Sequence, residues 1–147
     1  MTLPFLDRGI AQVGVIVKDL EGAMEIYWRM FGIGDWQVYT YGKPLVKHMS
    51  YRGKPAEYTM RIALGRAGPT QFELIEMVEG DTIYADFVKE HGFGVHHLGV
   101  LVDDMDAALA DAARHGLTVP QDGGGHGLDG DGAYAYLDSE KELGVTL

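Results

Sequence analysis

Two stretches of the chain repeat one pattern of apolar and polar positions. "IAQVGVIVKDLEGAMEIYWR", Ile10–Arg29, lies over "VHHLGVLVDDMDAALADAAR", Val95–Arg114, without a gap. Gly14 meets Gly99, Val15 meets Val100, Asp19 meets Asp104 and Arg29 meets Arg114. Each stretch reads as a short apolar strand, an Asp able to cap a helix, then apolar residues at helical spacing. The first helix offers Leu20, Ala23, Met24, Tyr27 and Phe31 as its inner stripe. The second offers Met105, Ala108, Leu109 and Ala112 and stops near Gly116.

Strand-like segments follow in each half. They are "WQVYTY", "EYTMRIAL" and "TQFELIEM" after the first helix, then "LTVPQD", "GAYAYLD" and a short "GVTL" after the second. The segment "TIYADFVKEH" predicts a helix joining the halves. The expectation is an α+β fold of two tandem βαβββ modules that share one core. The chain, 1–147, reads as one domain: module one about 8–80, linking helix about 81–92, module two about 93–147.

Composition narrows the function classes. The 147 residues carry a net charge of −10, which disfavours general nucleic-acid binding and predicts no nucleic-acid partner. No apolar run reaches the roughly 18 residues of a membrane span, and the start lacks a signal-peptide pattern. Zero cysteines exclude disulfides and thiolate zinc sites and fit a cytoplasmic protein. Of the 21 glycines, many fall in "DGGGHGLDGDG", which reads as a mobile lid or hairpin connection and lacks the lysine and helix of a P-loop.

The adjacent pair His96 and His97 opens the second module. Strand alternation predicts that they point to opposite faces, and a buried imidazole needs a partner. The duplication puts His97 and Gln12 in equivalent register, on the same side of the sheet. Glu73 shares a strand face with Gln71 and Ile75, where a carboxylate requires a cation or donor.

The paired motifs "QVGVIVKDLEGAMEIY" and "HHLGVLVDDMDAAL" resemble the vicinal oxygen chelate superfamily. That group includes glyoxalase I, methylmalonyl-CoA epimerase, extradiol dioxygenases and antibiotic-binding resistance proteins. The resemblance implies that the two modules curve their mixed sheets around a shared cavity, with a divalent metal at the meeting of four strands, held by Gln12, Glu73 and His97, and with His96 as an outward neighbour. A fourth ligand falls at the position after Leu147. Imidazole, amide and carboxylate donors suit Zn, Ni, Co, Mn, Mg or Fe. Without metal, the same three side chains would hydrogen-bond to one another. Many relatives carry His where this chain has Gln12.

The same alignment implies that Arg61, with Thr59 and Ala63, faces the cavity, where the epimerases carry a catalytic acid. Arg61 would then grip an anionic group or pair with Glu73. Tyr134 and Tyr136 would wall the pocket and bind substrate. Glu57, His48 and Tyr58 are rim candidates, Glu57 as a displaced base. His91 and His126 read as helix-end and loop residues, and "DDMD" as helix capping.

The activity implied is that of a metal-assisted isomerase, epimerase or lyase on a small enolisable carbonyl or acyl compound, with Glu73 as ligand and base. The alternative is a metal-free binder of an aromatic or antibiotic molecule. Ring-cleaving oxygenation, which usually uses a His-His-Glu trio, fits Gln12 less well. A small-molecule substrate, anions included, and a homodimer complete the expectation.

Overall fold

The computed structural model describes residues 3–147. A 3-10 helix, Pro4–Arg8, precedes β1 (Gln12–Ile16), α1 (Leu20–Phe31), β2 (Gln37–Tyr41), β3 (His48–Tyr51), β4 (Lys54–Pro55), β5 (Thr59–Ala67) and β6 (Thr70–Glu79). Then come α2 (Ile83–His91), β7 (Gly94–Gly99), α3 (Met105–Arg114), β8 (Gln121–His126), β9 (Gly132–Tyr136) and α4 (Glu140–Leu143). The fold is α+β. One sheet has the order β2-β5-β6-β1-β7 and the other β4-β3-β8-β9.

Both long repeats start as expected. The Asp19 carboxylate accepts from the Gly22 N–H and the Asp104 carboxylate from the Ala107 N–H, satisfying donors that a helix start leaves free. The stripe of α1 buries Leu20 against Val15, Ala63 and Leu74, with Ala23, Met24 and Tyr27 beside them. Phe31, expected in that stripe, is instead exposed, because α1 ends there and Gly32 turns the chain away with a left-handed φ of 69°. In α3 the stripe does different work: Met105, Ala108 and Leu109 face the cavity between the sheets.

Three segments depart from the expected pattern. The hairpin β3–β4 was not legible in the sequence. Its strands are short and of mixed polarity, and it leaves its own module to pair β3 with β8. The glycine-rich segment, expected to be a mobile lid or hairpin connection, is a hairpin whose first half is strand: Gln121 to Gly124 pair with β3 on one side and with Tyr136 to Ala133 of β9 on the other, and 127–131 connect β8 to β9. The last strand, "GVTL", is reduced to a single parallel bridge between Thr146 and His97.

That bridge joins the two sheets. The Leu98 N–H donates to the Thr146 carbonyl at 3.0 Å, and the Leu137 N–H to the Leu147 carbonyl at 2.8 Å. At the far side, the Tyr58 hydroxyl donates to the Asp122 carbonyl at 2.8 Å, and the rings of Tyr41 and His126 meet at 5.2 Å. The sheets therefore curve around a common interior. No helix among the described residues is long and apolar enough to cross a membrane.

Candidate functional site

The site grows out of two triplets, Gln12-Val13-Gly14 and His97-Leu98-Gly99. β1 and β7 run antiparallel with Gln12 opposite Gly99 and Gly14 opposite His97. Each polar side chain thus lies over the other module's glycine. A Cβ on Gly14 would fall inside the His97 imidazole, and one on Gly99 would come within 2.9 Å of Gln12 Oε1. Because β1 is central, His97 must reach across it to meet Glu73 on β6, and the missing side chain of Gly14 opens that path. Gly14 pairs with Glu73 on its other flank. His97 Nε2 ends 3.2 Å from Glu73 Oε2 and 3.2 Å from Gln12 Oε1. Gln71 fixes the amide, since Gln12 Nε2 donates to Gln71 Oε1 at 2.8 Å. The structure brings Gln12, Glu73 and His97 together. The matched glycines that permit it were visible in the duplication, but their spatial role follows only from the antiparallel pairing.

The adjacent histidine does not point outward, as alternation predicts. The register of β1 and β7 shifts between Gly14 and Val15: His97 pairs with Gly14 and Val95 with Val15, so His96 is the extra residue of a β-bulge. Bulges suspend the two-residue period and re-aim side chains. His96 is as buried as His97, packed against Tyr84 and Phe87. Its Nδ1 lies 3.1 Å from His97 Nδ1, a distance that accommodates one shared proton. Burial first, and the neighbouring His97 second, push the His96 imidazole down to about 3, so it stays neutral.

The interior cavity has a volume of about 320 Å³. At one end lie Gln12, Gln71, Glu73 and His97; at the other lie Tyr41, His126 and Tyr134. Tyr134 and Tyr136 both line it, as expected. The Tyr134 hydroxyl bonds to the Tyr58 hydroxyl at 2.9 Å, and that of Tyr136 to the Tyr84 hydroxyl at 2.7 Å. Burial raises all four phenols, Tyr58 to about 12, so they remain neutral. His126, expected to be a loop residue, lines the cavity. A second bulge, with Gly125 at a φ of 79°, turns it onto the same face as Gly132 and Tyr134. Glycines hollow this wall: a Cβ at Gly123 would lie 2.5 Å from the Tyr134 oxygen.

Arg61 does not face the cavity. β5 and β6 pair Leu64 with Glu73, Ile62 with Ile75 and Arg61 with Glu76. The cavity face of β5 is therefore Met60, Ile62 and Leu64, one residue out of phase with the expected Thr59, Arg61 and Ala63. A one-residue slip exchanges the two faces of a strand. The Arg61 guanidinium lies on the α1 side, paired with Glu21 and, at 3.3 Å, with Glu76. Glu76 also accepts from the Leu20 N–H at 2.7 Å, at the start of α1. Asp19, Glu21 and Glu76 cluster there, and Arg61 and the helix terminus supply the compensating charge. Glu57 pairs with Lys43 and is exposed. His91, at the end of α2, meets Glu140 at 2.7 Å, and Asp103 meets Arg8.

The three donors have the spacing of ligands to a divalent cation. Ligands at about 2.1 Å and right angles to one another stand about 3 Å apart. The 3.2 Å separations from His97 Nε2 match that spacing, and the two facing atoms are oxygens with free lone pairs. The residues fit such an ion. Thr146 stands to His97 as Gln71 stands to Gln12, so the equivalent of Glu73 falls after Leu147.

Residues 11–136 match the Glyoxalase/Bleomycin resistance protein/Dioxygenase superfamily. No curated protein matches the chain. Among solved structures, the chain is similar to a hypothetical protein of Bacillus halodurans C-125 (TM-score 0.61, 18% identity, 93% of this chain and 88% of that one). It is also similar to a methylmalonyl-CoA epimerase of Mycobacterium tuberculosis (0.60, 19%, 99% and 89%). A third is a variant methylmalonyl-CoA epimerase of Streptomyces coelicolor in complex with 2-nitronate-propionyl-CoA (0.59, 20%, 93% and 89%). At these identities the likeness is one of fold.

Proposed function

The chain belongs to the Glyoxalase/Bleomycin resistance protein/Dioxygenase superfamily, and from that premise we propose that it is a metal-assisted isomerase, epimerase or lyase acting on a small enolisable carbonyl compound. One observation carries the reading: His97 Nε2 is flanked at 3.2 Å by an amide and a carboxylate oxygen at one end of a largely apolar cavity. A divalent cation there supplies, when bound, Lewis-acid polarisation of adjacent substrate oxygens.

The chain's own residues do the rest. Gln71 orients the Gln12 amide so that its oxygen, not its nitrogen, faces the centre. Glu73, on the β6 face that lines the cavity, takes the proton next to the substrate carbonyl on its carboxylate and returns it. Leu64, Met105 and Leu109 exclude water from that transfer, and neutral Tyr134 and Tyr136 wall the substrate without competing for the proton. Arg61 has no part in this chemistry. The protein acts as a homodimer in the cytoplasm; exposed Trp28, Met30 and Phe31 on α1 supply an apolar surface for pairing.

A second reading, a metal-free binder, is favoured by His97 Nε2 lying within hydrogen-bond distance of both the Gln12 and Glu73 oxygens, and by the Gln12 amide donating to Gln71. Proton exchange separates the two. In D2O with Mn²⁺, the enzyme reading predicts that the chain accelerates deuterium uptake at the methyl of 1-phenylpropane-1,2-dione, and that Glu73→Gln abolishes the acceleration. Binding of the dione with no exchange above the buffer rate supports the binder.

A further inference from the structure

The cavity has two polar ends and no basic side chain of lysine or arginine type. Among its lining residues Glu73 supplies the one carboxylate side chain. The cations nearby are held elsewhere. Arg61 is tied on the opposite face of β5, Arg8 to Asp103 and Lys43 to Glu57. Lys47, whose stem packs close to Gly125, turns its amine to the Pro44 carbonyl at 3.1 Å. An anionic group placed beyond the Gln12–Glu73–His97 end would lose its hydration and gain no counter-charge. The chain's net charge of −10 opposes it further.

The far end offers a hydrogen bond instead. His126 Nδ1 is sealed from solvent and has no partner, so the ring meets the cavity by its other edge. A buried N–H without an acceptor is rarer, and costs more, than a bare lone pair. The proton therefore sits on Nε2, and His126 presents an N–H donor. Burial and the nearby His48 both hold the ring neutral. Gly132, its cross-strand partner, makes room: a Cβ there would lie 2.8 Å from Nε2. Tyr41 and Tyr134 flank the imidazole at 5.2 and 5.9 Å between ring centres.

We propose that the cavity takes an uncharged, mainly apolar compound that carries, remote from its adjacent oxygens, a hydrogen-bond-accepting oxygen held by His126 Nε2–H. The adjacent-oxygen end rests on the proposed function above; the His126 end stands on the cavity lining alone. His126 is then a specificity residue. Its selectivity runs against acyl compounds bearing a second carboxylate, and the cavity volume of about 320 Å³ sits at the small end of ligand pockets.

Calorimetric titration with four probes tests this: 1-(4-methoxyphenyl)propane-1,2-dione, its unsubstituted and 4-carboxy analogues, and 1-methoxy-4-propylbenzene, which lacks the adjacent oxygens. The methoxy dione should bind about 3- to 10-fold tighter than the unsubstituted one, the range of a single neutral hydrogen bond. The carboxylate should bind more weakly than either. His126→Phe should erase the methoxy preference and leave the unsubstituted dione unchanged, while His126→Gln, which keeps an N–H, should retain part of it. A carboxylate that binds as tightly as the methoxy dione overturns the proposal. So do equal losses for both neutral diones in His126→Phe, or no binding of either at millimolar concentration. If the propylbenzene binds as well as the methoxy dione, and His126→Phe weakens both, the adjacent-oxygen end fails and the His126 end holds. If both diones bind equally and far better than the propylbenzene, the His126 end fails alone.

Discussion

Gly14→Ala puts one methyl group where the His97 ring lies. The φ of Gly14 is outside the left-handed region, so the backbone itself accepts alanine, and a strand gains about 0.5–1 kcal/mol when glycine is replaced. Against that, the new Cβ overlaps the imidazole, which is buried and held by Glu73, Gln12 and His96. Overpacking of a filled interior costs about 1–3 kcal/mol. The expected net loss is about 1–2 kcal/mol, a fall of roughly 2–8 °C in Tm for a domain of this size. Urea titration of wild type, Gly14→Ala, His97→Ala and the double variant completes a cycle. Alanine at position 14 should become neutral or stabilising once the ring is gone, giving a coupling of about 1 kcal/mol or more. If Gly14→Ala costs the same in the His97→Ala background, the ring does not lie over Gly14 and the account of the site is wrong.

Arg61→Ala should lower thermal stability, by releasing Glu76 and Glu21 on the α1 side, and should leave affinity for both neutral and anionic cavity ligands unchanged; a selective loss for anions would put Arg61 back in the site. Tyr84→Phe should cost about 1–2 kcal/mol in chemical denaturation, because it leaves the buried Tyr136 hydroxyl without its partner. The His126 imidazole is held below the ordinary histidine value near 6.5, by burial first and His48 second. The unfolded chain therefore takes up that proton first, and stability falls as pH drops through about 6.5 and below. His126→Phe should flatten the stability curve in that window, measured as the difference from wild type; parallel curves would contradict the burial of the ring.

The duplication was the strongest signal because strand, capping Asp and helix recur in one register, and local chemistry dictates all three. Asp19 and Asp104 cap as read; His97 and Gln12 converge because residues equivalent by duplication share a face, and Glu73 meets them from the neighbouring β6. The failures share a cause: alternation sets side-chain direction only once the register is known. Arg61 was phased one residue out, since nothing local fixes which residue of β5 stands opposite Glu73. His96 and His126 sit at bulges, which shift the phase without a hydrophobic signature. The glycine-rich strand looked like a loop because its residues make room for the rings across from them, Tyr134 over Gly123 and His48 over Gly124. The β3–β4 hairpin was invisible because β3 pairs with residues of β8 that lie 70 to 76 positions away.

The measurement closest to the central claim is divalent-ion titration by calorimetry with Mn²⁺ and Co²⁺. One ion should bind per chain, with binding abolished or severely weakened by His97→Ala and by Glu73→Gln, weakened by Gln12→Ala and unaffected by Arg61→Ala. Saturable binding that survives loss of His97 and Glu73, or no binding at millimolar ion, would contradict it.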